Sequence, residues 1–190
     1  MTTGSLDTLI CPEHGWLAHV GVHEAGHAAV AILLGIEFVE VSVQPGHSTF
    51  QSMLTGTDAE AGGVLMPTDR PREWAEHRAD DALVFTLAGS LSEQTFLEHF
   101  LQNGWKGDME MWRKGTGRTE AQDPAELGPL MKAATVRTRA LIEEHRAAIL
   151  RVYKLFVAQV PNDGHQHFDI TEPVTLSYDE VRAAVLEQSA

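Results

Sequence analysis

Apolar and polar positions change period several times along the chain, and each change predicts an element. Residues 17–34 read as a helix that becomes apolar all round past His27, with Gly35 as its stop. Over 38–43 the period drops to two, which predicts a half-buried strand with Val39, Val41 and Val43 on one face and Glu40 and Ser42 on the other. Residues 45–61, rich in Gly, Ser, Thr and Asp, read as loop, and 63–66 as a second short strand closed by Pro67. A helix is expected from Pro71 to about Ala88, with Gly89 marking a break or a close contact, and a further helix over 91–101. Asn103-Gly104 punctuates before a helix over 105–113, which Gly115-Thr116-Gly117 interrupts. Asp123 and Glu126 have capping-box spacing around Pro124 and open the longest helical region, to about Val160, with Ile142, His145, Ile149, Val152, Tyr153 and Phe156 toward the core. A polar loop follows, and Ser177 with Glu180 caps a short last helix through Leu186.

These elements predict an α+β fold, mainly helical, with a small β-sheet and a C-terminal helical bundle. At roughly 150 residues per domain, 190 residues suggest one domain, with 1–14 as an irregular lead-in and 161–190 as loop and short terminal helix. The 14 Lys and Arg against 27 Asp and Glu leave a net charge of −13, which repels phosphate and anionic lipid and argues against nucleic-acid or polybasic membrane partners. Cys11 is the one cysteine, so neither an intrachain disulfide nor a multi-thiolate zinc ribbon can form. The longest apolar run, 28–34, is far short of a bilayer span and the first ten residues carry no basic stretch, so a cytoplasmic protein is expected.

The chemistry concentrates in His23-Glu24-Ala25-Gly26-His27, an H-E-x-x-H pattern inside the first helix. Positions i and i+4 fall about 40° apart on a helix, so the two imidazoles share a face and can grip one metal ion. Glu24, beside the first ligand, can act as general base on an activated water. Two histidines and a carboxylate in an apolar helix are costly to bury without a partner, and a metal supplies one. Gly26, unfavourable in a helix interior, suggests a close approach there.

The stretch Val22-His23-Glu24-Ala25-Gly26-His27-Ala28-Ala29-Val30 resembles the zinc helix of the peptidase domain of FtsH, the membrane-anchored ATP-dependent protease. Leu87-Ala88-Gly89-Ser90-Leu91-Ser92-Glu93 is similar to that family's Ala-Gly-Arg-x-Ala-Glu segment, and Gly107-Asp108 falls where the family has an Asn-Asp step. The order and rough spacing agree over about residues 20–160. The resemblance implies a zinc metallopeptidase in which Asp108 is the third ligand beside His23 and His27, with Glu24 catalytic and one Zn²⁺ per chain. A catalytic zinc needs three protein ligands and an open position, and no third histidine follows at short spacing, which is consistent with a distant carboxylate. Asp108 also reads as a helix N-terminal charge. Glu93 is the rival ligand; it can instead hydrogen-bond a zinc-bound histidine, or form a capping box with Ser90. Gly107 replaces the family's asparagine, and the following segment is broken by glycines.

No G-x-x-x-x-G-K-[ST] phosphate loop occurs, so a peptide or unfolded segment is the expected substrate, hydrolysed without ATP. The resemblance leaves room for a homo-oligomer or a separate ATPase partner, and makes the strand at 63–66 an active-site edge strand to which an extended peptide adds. Ligand type prefers zinc, but His₂-Asp sites also take Co²⁺ or Mn²⁺. The competing expectation is a non-enzymatic, metal-stabilised interaction module, disfavoured by an intact Glu24. Lesser candidates are His165 and His167 with Asp163 and Asp169, which read as a solvated loop; Cys11 with His14; His145 as a core histidine; and Trp105 and Trp112 as core or pocket wall.

Overall fold

A computed structural model describes residues 15–45, 62–66, 78–100, 102–117, 124–160 and 172–187. In chain order its elements are helix α1 (Trp16–Leu33), strands β1 (Glu40–Val43) and β2 (Gly62–Leu65), helices α2 (Ala79–Leu97), α3 (Gln102–Thr116), α4 (Pro124–Glu144) and α5 (Arg146–Gln159), strand β3 (Val174–Ser177) and helix α6 (Tyr178–Leu186). Mainly helical with a small antiparallel sheet, this is the expected α+β class.

The composition of α1 explains its place at the centre. A helix with no face suited to water has to be covered on all sides, and α1 packs against α2, α5, α6, β1 and β2, burying every residue from His19 to Ala31, its few polar side chains included. Its end is a Schellman motif: Gly35 adopts φ +67°, its N–H donates to the Ile32 carbonyl, and the Ile36 N–H reaches back to Ala31. That turn brings the chain back as β1, the middle strand of the order β2-β1-β3. Val41 lies opposite Val64 on one side and Leu176 on the other, and Val43 opposite Gly62 and Val174. Val41, Val43, Val174 and Leu176 are buried in the same apolar cluster as α1, Ile149 and Phe156. Ser177 closes β3 and caps α6, its hydroxyl accepting from the Glu180 N–H while the Glu180 carboxylate accepts from the Ser177 N–H.

Several sequence expectations need correction. Gly89 is not a break: α2 is continuous from Ala79 to Leu97 and ends at Glu98, whose φ of 66° is left-handed. Ser90 and Glu93 therefore sit in mid-helix and form no capping box; the Ser90 hydroxyl donates to Leu87 within the helix. Gly104 and Gly115 lie inside α3, and Gly117, at φ +67°, follows its end. The long C-terminal helix divides at His145, which has φ −112° and ψ 25°, leaving His145 half-buried at the junction of α4 and α5 and not in the core. Val39 precedes β1 and is half exposed; its carbonyl accepts from the Tyr178 N–H where β3 turns into α6. Trp112 is buried, but Trp105 stands partly exposed on α3 and is not a core residue. The expectations for 1–14, the loop 45–61 past Pro45, the helix start at 71–77, Asp123 and the His165/His167 loop lie outside the described residues. Among the described residues, no helix is long and apolar enough to cross a membrane.

Candidate metal centre

The site lies where α1, α2 and α3 meet. The four-residue spacing of His23 and His27 sets their rings edge to face on one side of α1, with centroids 4.7 Å apart and their Nε2 atoms separated by 3.0 Å. From α3, one carboxylate oxygen of Asp108, Oδ2, comes to 3.1 Å of the His23 Nε2 and 3.3 Å of the His27 Nε2. These three donor atoms all lie within 4.8 Å of one another, so the group His23, His27 and Asp108 can hold a metal ion. Bonds of 2.0–2.1 Å in a tetrahedron put ligand atoms about 3.3 Å apart, close to the spacing found.

The back of each ring is tied down. The His23 Nδ1 meets Glu93 Oε1 at 2.6 Å, and the His27 Nδ1 meets the Phe85 carbonyl at 2.8 Å. A carboxylate and a carbonyl only accept, so each Nδ1 carries the proton and each Nε2 of a neutral ring is a bare lone pair. Two lone pairs and the Asp108 carboxylate then converge with no donor among them. Only a proton or a cation at the centre relieves this, and the donor set is that of a divalent transition ion. Burial pulls His23 down, but Asp108, Glu93 and Glu24 outweigh it and leave it well above the ordinary histidine range. For Asp108 burial pushes upward, yet His27 and His23 hold the carboxyl well below the usual range.

Close approach of the helices depends on three glycines. A Cβ at Gly89 would stand 2.5 Å from the Nε2 of both His23 and His27. At Gly26 it would strike the Ser92 side chain and lie 2.8 Å from the Ala88 carbonyl, and at Gly104 it would lie 3.1 Å from the His23 ring. Gly26 and Gly89 bring α1 against α2, and Gly104 allows α3 over His23. Asp108 thereby reaches the histidines from the body of a continuous helix, with the glycines on either side of it at 104, 107 and 115 tolerated within that helix.

Glu24 is buried beside this group, and its Oε2 has no hydrogen-bond partner among the described residues. Burial pushes its pKa up to about 7, against the opposing pull of His23 and His27. The first residue of β2 makes room for it: a Cβ at Gly62 would stand 2.9 Å from both the Cγ and Oε1 of Glu24. Strand β2 stands at one edge of the three-stranded order.

The residues singled out in the sequence thus come together: His23, His27 and Asp108 as one group, Glu24 at its side, and Glu93 behind His23. Glu93 is not in the ligand group; both its oxygens face Nδ1 atoms, of His23 and of His19. His19 and His99 were missed. His19 precedes His23 by four residues, as His23 precedes His27, so the pattern H-x-x-x-H-E-x-x-H was already visible. His99 had no local signal, because it reaches His19 only through the turn at Glu98. Compared with models of protein families and with curated proteins, the chain matches none.

Proposed function

We propose that this chain is a zinc-dependent metallopeptidase of the FtsH type that hydrolyses unfolded segments or short peptides. The observation that carries the reading is the buried carboxylate of Glu24, whose Oε2 has no hydrogen-bond partner among the described residues, beside three converging donors. A purely structural site has no use for such a group, because an unsatisfied buried carboxyl costs stability. In the proposal His23, His27 and Asp108 hold the ion, which when bound supplies Lewis acidity toward a water molecule and the scissile carbonyl. Glu24 accepts the proton of the attacking water and delivers it to the leaving amine, and its burial strengthens its hold on that proton in between. Exclusion of bulk water follows from the burial of Glu24 and both histidines, which strengthens these interactions.

The edge position of β2 supports an extended substrate. A peptide laid along β2 would gain main-chain hydrogen bonds and pass the Gly62 end, where Glu24 lies. This favours chains already unfolded over folded proteins.

The test combines metal content with turnover of an unstructured peptide. About one zinc per chain is expected for the wild type and a clear loss for Asp108→Ala. Glu24→Gln should keep its zinc and lose roughly 10²–10⁴-fold in turnover, the usual worth of a general base. Metal binding with turnover unchanged in Glu24→Gln would replace the peptidase by a metal-stabilised interaction module.

A further inference from the structure

Behind the ligand group runs a line of buried polar contacts that binding the ion does not itself require. The Glu93 side chain is buried between α1 and α2 with its two oxygens divided: Oε1 faces the His23 Nδ1 at 2.6 Å and Oε2 the His19 Nδ1 at 2.9 Å. His19 is fully buried, and its Nε2 lies 3.2 Å from the Nε2 of His99, the two rings tilted with centroids 4.9 Å apart. Helix α2 places His99 there by ending in the left-handed Glu98, which turns the chain back toward α1.

The protons along this line are ordered by chemistry. Glu93 as a carboxylate accepts from both Nδ1 atoms, so neutral His19 carries its proton on Nδ1 and offers a lone pair on Nε2. His99 then donates its Nε2–H to that lone pair. A carboxylate engaged at one oxygen can still rotate about its last torsion; engaged at both it cannot. His19 therefore fixes the plane of Glu93, and Glu93 in turn fixes the tautomer and ring orientation of His23.

We infer that His19, held by His99, is a positioning residue that acts through Glu93 to aim the His23 Nε2 at the metal. This rests on the proposed metal site and adds two residues to it. Partners that orient a ligating histidine from behind are commonly worth 10–100-fold in metal affinity. The same order is expected for His19, and a smaller effect for His99, which lies one contact further out.

The experiment is a chelator-competition titration of the full chain with Zn²⁺ and Co²⁺, with circular dichroism to verify the fold. His19→Ala should weaken the metal roughly 10-fold or more and alter the visible Co²⁺ spectrum. His19→Asn, whose amide N–H stands in for Nδ1–H, should recover most of the loss. His99→Ala, nearer the surface, should weaken binding about 3-fold and serves if His19→Ala does not fold. Wild-type affinity in folded His19→Ala, or in His99→Ala if the former does not fold, would overturn the inference while leaving the site intact. A second equivalent of metal that disappears in His99→Ala would also overturn it, since the pair would then be ligands. No metal in the wild type would instead remove the underlying site.

Discussion

Helix α1 faces two different interiors. Toward the sheet, α5 and α6 it joins an apolar cluster that includes Val41, Val43, Ile149, Phe156 and Leu176. Toward α2 and α3 it presents His19, His23 and His27 to Glu93 and Asp108, with Glu24 beside them against the Gly62 end of β2. The apolar side needs only volume and shape, and such contacts are individually weak and collectively forgiving. On the polar side each buried atom needs a particular partner at hydrogen-bond range, and helix spacing has to be set by residues without side chains. Glycines therefore have different meanings on the two sides. Gly89 leaves space at the donor atoms, whereas Gly21 on α1 merely touches the Tyr153 ring, where a Cβ would stand 3.1 Å away.

The largest contrast should come from a single methyl group placed on each side. Gly89→Ala puts a carbon 2.5 Å from the Nε2 atoms of both His23 and His27, where the proposed ion would sit, so metal content should fall below about a tenth of an equivalent per chain. Gly21→Ala asks the Tyr153 ring to yield a few tenths of an ångström while improving helix propensity by roughly 0.5–1 kcal/mol. Its stability should stay within about 1 kcal/mol of wild type, with full metal content. Equal damage from both, read by elemental analysis and thermal melts, would erase the distinction.

Next in size is the stability cost of Glu24. Its carboxyl has a folded-state pKa near 7 against an ordinary 4.5, so between those values the folded metal-free protein binds more protons than the unfolded chain. Stability contributed by the protonated group is present below about 4.5 and is lost as pH rises to about 7. The loss can reach about 3 kcal/mol, at roughly 1.4 kcal/mol for each pH unit separating the two values. Denaturant melts of metal-free Glu24→Gln should accordingly be flatter over this range and show higher stability than wild type at pH 8. A less stable variant at pH 8 would mean that Glu24 belongs to the forgiving side of the molecule. The smallest effect lies farthest from the metal: Ser177→Ala removes the cap of α6 and should cost about 1 kcal/mol, without changing metal affinity.

Much of this was legible in the chain. The apolar 28–34 run announced a helix buried on all sides, the alternation over 38–43 a half-buried strand, realised over 40–43, and Ser177 with Glu180 the last helix, because each signal is local and matches the geometry of one element. His23, Glu24 and His27 were equally legible, since helical spacing alone puts the two histidines on one face. Glycine was harder to read where its context was not local, and of the two readings of Gly89 the close contact holds and the break does not. Gly89 lies inside a continuous helix, where the contact it permits with α1 offsets its poor propensity, and Gly104 and Gly107 sit within α3 for all their loop-like composition. The split at His145 was likewise invisible to periodicity, as the helical hydrogen bonds to Leu141 and from Ile149 continue on either side of it.

The sequence by itself determined most of the elements, the face of α1 that carries His23 and His27, and the neighbouring carboxylate, because these depend on residues within one or two helical turns. Resemblance suggested Asp108 and Glu93, but only the tertiary structure gave them separate roles: α3 brings Asp108 to the Nε2 side of the histidines, and α2 brings Glu93 to the Nδ1 side. It also decided that His19 and His99, 80 positions apart, share a contact. Side-chain protons and lone pairs act over about 3 Å, so a partnership between distant residues exists only once packing has fixed the distance between helices.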